Sequence, residues 1–220
     1  MVVLVSGVWG GSVIYASLEN SRAPEELALS TPISASTATA TAPAEGTSTA
    51  GTIDGAWAVG GTSQAGYRVN EVLNGQDVTV VGRTNNVEGQ VTVDGTSLTA
   101  AKITVPMTGV ATDNNSRDGQ FLSILKTSEF PTSTFPLAKA VDFSAVRDGV
   151  ASVQPVGDLS VAGITKPVAV ILEAQTTATI VEVQGTIPIT FSDVDMDAPN
   201  LGFVKVENTG SIEMLLQLSK

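Results

Sequence analysis

From residue 53 onward, apolar residues recur at every second position through much of the chain, the spacing that places them on one face of a β-strand. The longest run is Val181, Val183, Gly185, Ile187, Ile189 and Phe191, interleaved with Glu182, Gln184, Thr186, Pro188 and Thr190. One face is apolar and the other polar, and Gly185 is where so long a strand can bend. The same alternation predicts strands at Tyr67/Val69, Val78/Val80, Val91/Val93, Ile103/Val105/Met107, Leu159/Val161, Val168/Val170/Leu172 and Ile212/Met214/Leu216/Leu218, about eight in all. Asx-Gly pairs at Asp54-Gly55, Asn74-Gly75, Asp94-Gly95, Asp118-Gly119 and Asp148-Gly149 supply the positive φ angles that tight hairpin turns need. Short hairpins imply antiparallel neighbours. One-faced strands with no long helix to cover them must turn their apolar faces inward, as a two-sheet sandwich or a barrel. The pattern does not choose between the two. Pro106 and Pro188 each remove a ladder donor and belong at an edge, a bulge or an opened seam, so a barrel here is imperfectly closed.

The stretch Phe121–Pro136 breaks the alternation with a helical beginning and two Phe-Pro pairs. Proline disfavours helix at the preceding residue, so Phe130 and Phe135 are expected on a constrained, extended segment, as a lid contacting a ligand or as a cap on one end of the core.

Upstream, residues 2–18 carry no charge and as a helix would span roughly 25 Å, a little short of a ~30 Å hydrocarbon core. No Lys or Arg precedes the run, which reads as a clipped membrane anchor with a start codon assigned too late, or else a cleaved signal. Glu19, Glu25 and Glu26 against a lone Arg22 favour a non-cytoplasmic side. Residues 1–20 are thus expected to be a hydrophobic segment, 21–52 a disordered Ser/Thr/Ala/Pro linker holding the domain off a membrane or wall, and 53–220 the functional domain.

Composition narrows the chemistry. The 220 residues contain no Cys and no His, which removes disulfides, thiolate or Ser-His nucleophiles and the usual zinc ligand sets. With 22 acidic against 11 basic side chains, the net charge of −11 argues against nucleic acid as a partner. Asp193, Asp195 and Asp197 would aim three carboxylates one way on an extended backbone, but Ala198 and Val204 stand where an EF-hand loop needs Gly and Glu. No metal is expected. Glu71 and Asp77 could pair across a hairpin as acid and base, yet nothing around them singles them out, and no nucleophile elbow occurs, so no enzyme is expected. Asn114-Asn115-Ser116 fits a glycosylation sequon.

In order and spacing, the runs GAWAVGGTSQAGYRV, GRTNNVEGQVTVDG, NNSRDGQFL, SEFPTSTFPLA, GDLSVAGITKPVAV and SDVDMDAPNLGFVKVENTGSIEMLLQL resemble the YceI-like family across residues 53–220. The resemblance implies an all-β fold: an extended antiparallel lipocalin-like barrel of about eight strands with a short helix or lid, its interior binding a polyisoprenoid, an isoprenoid quinone or a similar long amphiphile. It requires no catalytic group and no separate cofactor. Tyr67, Val69, Val80, Ile103, Val105, Phe121, Phe130, Phe135 and Val170 are the expected lining and lid. Arg117, Asp118 and Gln120 are expected to orient a headgroup or to anchor the loop. Asp158, Thr165 and Lys166 read as a hairpin with a capped turn. Two departures, Gln120 where relatives often carry His and Val194 where an aromatic often follows Asp193, imply a different headgroup preference. The expected role is carriage or sequestration of an apolar chain at the extracytoplasmic face of a membrane, or in the secreted state, by a monomer or homodimer. The alternative is a surface module with a filled barrel that binds protein through its loops.

Overall fold

The computed structural model describes residues 17, 20–21, 23–30, 53–144, 151–176 and 180–220. Almost all of the hydrophobic run, linker residues 31–52 and the Asp148-Gly149 pair lie outside them. Among the described residues, no helix is long and apolar enough to cross a membrane.

A single 13-stranded antiparallel sheet curls on itself without closing. Its strands are β1 (Gly55–Val59), β2 (Gln64–Leu73), β3 (Gln76–Thr84), β4 (Glu88–Asp94), β5 (Ser97–Pro106), β6 (Thr132–Pro136), β7 (Val141–Asp142), β8 (Ala151–Val153), β9 (Val156–Val161), β10 (Ile164–Ala169), β11 (Ile171–Thr176), β12 (Val181–Thr190) and β13 (Val204–Ser219). β13 is the backbone of the curl. One side of it pairs with β12 from Thr209 to Leu218, and the other with β2 and then β1. From β1 the sheet continues through β4, β5, β6 and β9 to β10, and from β12 through β11 to β8.

The lipocalin-like antiparallel fold read from the sequence is the one observed. The alternation captured β2, β3, β4, β5, β9, β12 and β13 but merged two strands. Val168 and Leu172 belong to β10 and β11, and between them the Val170 N–H bonds the Pro155 carbonyl instead of a ladder partner. The remaining extra strands, β1, β6, β7 and β8, are five residues or shorter, too short to show a period. Pro188 behaves as its missing N–H demands. It pairs with Ser211 of β13, while β11 on the other side ends its pairing at Thr186, leaving the seam open there.

Two of the Asx-Gly pairs make the expected hairpins. Asn74 (φ 50°) and Gly75 (φ 79°) join β2 to β3, and Gly95 (φ 62°) begins the turn from β4 to β5. Asp54-Gly55 leads into β1 instead, and Asp118-Gly119 is helical. It lies inside α1 (Asn115–Ile124), whose N-cap Asn114 accepts from the Ser116 and Arg117 N–H groups, so the cap, not the glycine, decides the local structure. A turn without an Asx residue, Ala162-Gly163, joins β9 to β10. Asp158, Thr165 and Lys166 sit on that hairpin.

Inward residues of β1, β4, β5, β11, β12 and β13 pack into a half-core around Trp57, Val91, Leu98, Val183 and Leu216, each contributing roughly 1.5–3 kcal/mol by burial. The Trp57 indole N–H is satisfied by the Ile53 carbonyl at 2.8 Å. The other end of the curl is hollow.

Residues 20–21 and 23–30 cross the outer face of the sheet, where the sequence reading put Asn20 at the end of the hydrophobic segment and 21–30 at the head of a disordered linker. The Asn20 side chain bonds the Asp77 carbonyl and the Thr79 N–H, each at 2.9 Å, filling the unpaired edge of β3. Arg68 donates to the Pro24 carbonyl at 2.8 Å and Arg83 to that of Glu25, while both guanidiniums hold Glu213. Leu27 is buried. The Ser30 N–H and hydroxyl bond Glu182 at 2.7 and 2.8 Å, and Gln175 donates to the Ser30 carbonyl at 2.8 Å. Glu213 and Glu182 stand on outward positions of β13 and β12, yet they are 3% and 2% exposed. The crossing segment and the two arginines bury and satisfy them.

Candidate functional site

The hollow end is a cavity of about 350 Å³ between β2, β3, β5, β13, α1 and the 196–203 loop. Because residues i and i+2 of a strand share a face, β2 presents Tyr67, Val69, Glu71 and Leu73 to it in succession, and β13 presents Val204, Val206 and Ile212. A second cavity of about 70 Å³ follows it along the sheet, lined by the next inward residues of β13, namely Met214, Leu216 and Leu218. The division falls between Val105 and Ile103 on β5 and between Ser133 and Phe135 on β6.

Of the residues expected to line a lumen or lid, Tyr67, Val69, Val80, Val105 and Phe121 come together on the larger cavity, and Arg117 and Gln120, expected at a headgroup or as a loop anchor, join them there. Others do not. Ile103 and Phe135 line only the smaller one. Val170 lines neither. It is 0% exposed, with a methyl lying where a Cβ on Gly185 would come within 3.2 Å. Phe130 also lines neither; its ring lies over Gly163 in the β9–β10 turn, so it caps a hairpin rather than a lumen. Asp118 turns away to accept from the Thr112 N–H and hydroxyl at 2.8 and 2.7 Å, so it anchors the loop.

α1 covers the cavity as a lid. Its Phe121 ring stacks on Tyr67, centroids 4.5 Å apart and planes 14° from parallel. Tyr67 in turn lies flat over Gly82 of β3, where a Cβ would meet the ring at 2.4 Å, so any larger residue there would push the ring off its place. Arg117 reaches in from the first turn of the helix, 3.1 Å from Glu71 and 3.2 Å from Asp113. Glu71 is 6% exposed, a carboxylate in an otherwise apolar wall. Its position in the series 67, 69, 71, 73 already placed it on the lining face. The suggested pairing of Glu71 with Asp77 fails, because Asp77 opposes Val72 and so faces the other side of the sheet. Nor do the late aspartates share a strand face. Phe191–Val194 is a 3-10 turn and Asp195 is left-handed (φ 53°), which breaks the extended run their alternation assumed.

Burial pushes the Tyr67 hydroxyl well above the ordinary tyrosine value; Arg117 opposes the shift, and Asp118 and Glu71 add to it. The folded state holds this proton more tightly than the unfolded chain does. The stability it confers is therefore complete below pH ~10 and is lost as pH rises past that toward the folded value. In an ultraviolet alkaline titration, one of the two tyrosines should resist ionisation until the fold melts. Tyr67→Phe should remove that resistant phase while the stack on Phe121 persists.

The YceI-like domain model matches residues 57–218. A UPF0312 protein of Shewanella denitrificans is 33% identical over 92 residues, 41% of this chain and 47% of its own length, so the chain spans about half the length of that curated relative. Among solved structures, a polyisoprenoid-binding domain from Saccharophagus degradans implicated in plant cell wall breakdown has a TM-score of 0.59 at 18% identity, covering 74% of this chain and 97% of that one. Burkholderia cenocepacia BcnA follows at 0.58 and 16%, covering 70% and 95%, and a Campylobacter jejuni YceI protein at 0.52 and 17%, covering 63% and 84%. At these identities the structural likeness is one of fold.

Proposed function

This chain belongs to the YceI-like domain family, and on that premise we propose that it binds one polyisoprenoid-like chain in its lumen without catalysis, at the extracytoplasmic face of a membrane. The observation that carries this reading is the apolar cavity continuing along β13 toward a second, smaller one, a shape suited to a linear hydrocarbon rather than a compact metabolite. At the ~30 Å³ that a water-sized group occupies, the larger cavity takes about a dozen non-hydrogen atoms, enough for a short prenyl chain or the inner end of a longer one. Burying each methylene contributes on the order of 0.8 kcal/mol, so such a tail binds firmly with few polar contacts. Glu71, Arg117 and Gln120 supply those contacts at the lid, where a headgroup hydroxyl or carbonyl would meet both a donor and an acceptor. A Saccharophagus domain of the same fold is a polyisoprenoid-binding domain, which agrees with this reading.

The test is extraction of purified protein followed by mass spectrometry, with added prenyl alcohols as ligands. A co-purifying or readily accepted prenyl chain is expected; protein that is lipid-free and rejects every prenyl alcohol would favour the surface-module alternative. Two variants sharpen it. Val105→Phe fills open space and should abolish uptake at a stability cost below about 1 kcal/mol, whereas Val170→Phe overpacks the solid core and should cost about 1–3 kcal/mol. Thermal melts beside the binding assay separate them.

A further inference from the structure

Leu201 and Phe203 are 51% and 61% exposed, the two most exposed large hydrophobic side chains among the described residues, and both also line the larger cavity. They are not scattered surface residues. The Asn74 N–H bonds the Phe203 carbonyl at 2.8 Å, and the Leu201 N–H bonds that of Val204 at 2.8 Å, so the loop is pinned against the tip of the β2–β3 hairpin with its apolar side chains at the rim. The rim is therefore continuous with the lumen. The chain itself reaches the same end. Asn20 grips Asp77 and Thr79, only a few residues past the hairpin tip at Gly75, and the crossing segment then runs away from that tip toward Arg68, Arg83 and Glu182. Two positions before Asn20 the uncharged run of residues 2–18 ends.

We propose that the Leu201/Phe203 rim is a docking surface for the acyl region of the bilayer that holds residues 2–18, so that the lumen opens directly onto lipid. The proposal rests on the binding function above and adds where the ligand enters. Docking is by apolar insertion and not by charge, since Asp193, Asp195, Asp197 and Glu207 are exposed near the rim against Lys205. Neutral lipid is therefore preferred over anionic lipid.

The chain has no cysteine, so single labels can be placed cleanly. The full chain is reconstituted into phosphatidylcholine vesicles with an environment-sensitive fluorophore on Phe203→Cys or, as a control in the β4–β5 turn at the opposite end, on Thr96→Cys. The label at 203 should shift to shorter wavelength and be quenched several-fold by lipids carrying a nitroxide on the acyl chain; the label at 96 should do neither. Adding phosphatidylglycerol at about a third of the lipid should weaken the quenching at 203. A water-exposed 203, equal quenching at both sites, shielding at 203 without nitroxide quenching (as in rim-to-rim pairing of two copies), or failure of the protein to stay with the vesicles would each overturn the proposal. Lipid extraction on the same samples keeps the two readings apart: a loaded lumen with an unquenched 203 overturns the docking alone, and a quenched 203 with a lumen that never loads overturns the binding function alone.

Discussion

Arg117→Ala should destabilise the protein by about 3–5 kcal/mol, measured as the loss in unfolding free energy by urea titration at neutral pH. The guanidinium is 3.1 Å from Glu71, whose side chain is 7% exposed and set in an apolar wall. Removing the cation strands that carboxylate where water reaches it poorly, and among the described residues no other cation pairs with it. The cost arises from the orphaned charge rather than from the lost attraction, and a second variant shows this. Glu71→Gln combined with Arg117→Ala should recover most of the loss, because a neutral amide is far cheaper to keep out of water than an anion. A single variant within about 0.5 kcal/mol of the parent would mean that Glu71 is hydrated in solution, and its place as the polar end of the lumen would go with it.

Phe135→Ala should cost about 3 kcal/mol and change which chain length binds best. The ring packs on both the main core and the smaller cluster around Leu159 and Val161, lying over Gly157 where a Cβ would meet it at 2.3 Å. Truncating a large aromatic in a packed site costs ~3–5 kcal/mol, and the partial exposure of Phe135 puts it at the low end. Phe135 lines the smaller cavity next to Ser133 of the larger one on the same strand, so its removal should enlarge the smaller cavity toward the larger. In competition among geraniol, farnesol and geranylgeraniol, preference should move toward the longer alcohols relative to the parent. An unchanged order with the expected loss of stability would show that Met214 and Ile212, rather than Phe135, set the length of the lumen.

Much of this was legible in the chain because a strand with one buried face must alternate, and β12 and β13 do so over most of their length. The hollow was less legible. Val105 and Val170 look alike in sequence, both branched and both at inward positions, yet one faces empty space and the other faces Gly185 and packed neighbours. Period two tells inside from outside; it does not tell a lumen from a core, which depends on what stands across the barrel. The outer crossing was not legible at all. The alternation puts Glu182 and Glu213 on the polar faces of their strands, and only the tertiary contact of residues 20–21 and 23–30, with Arg68 and Arg83 supplying the opposing charge to Glu213, explains their burial.

That crossing bears on the chain to either side of residues 31–52. Ser30 is fixed to β11 and β12, and Ile53 is already in the core, so both ends of the low-complexity stretch are held by the same rigid body. Whatever that stretch does, its two flanking residues keep fixed places on one sheet. Doubling its length would cost only about 0.6 kcal/mol in closure entropy, which leaves drift in its composition and size nearly free of consequence for how the barrel folds.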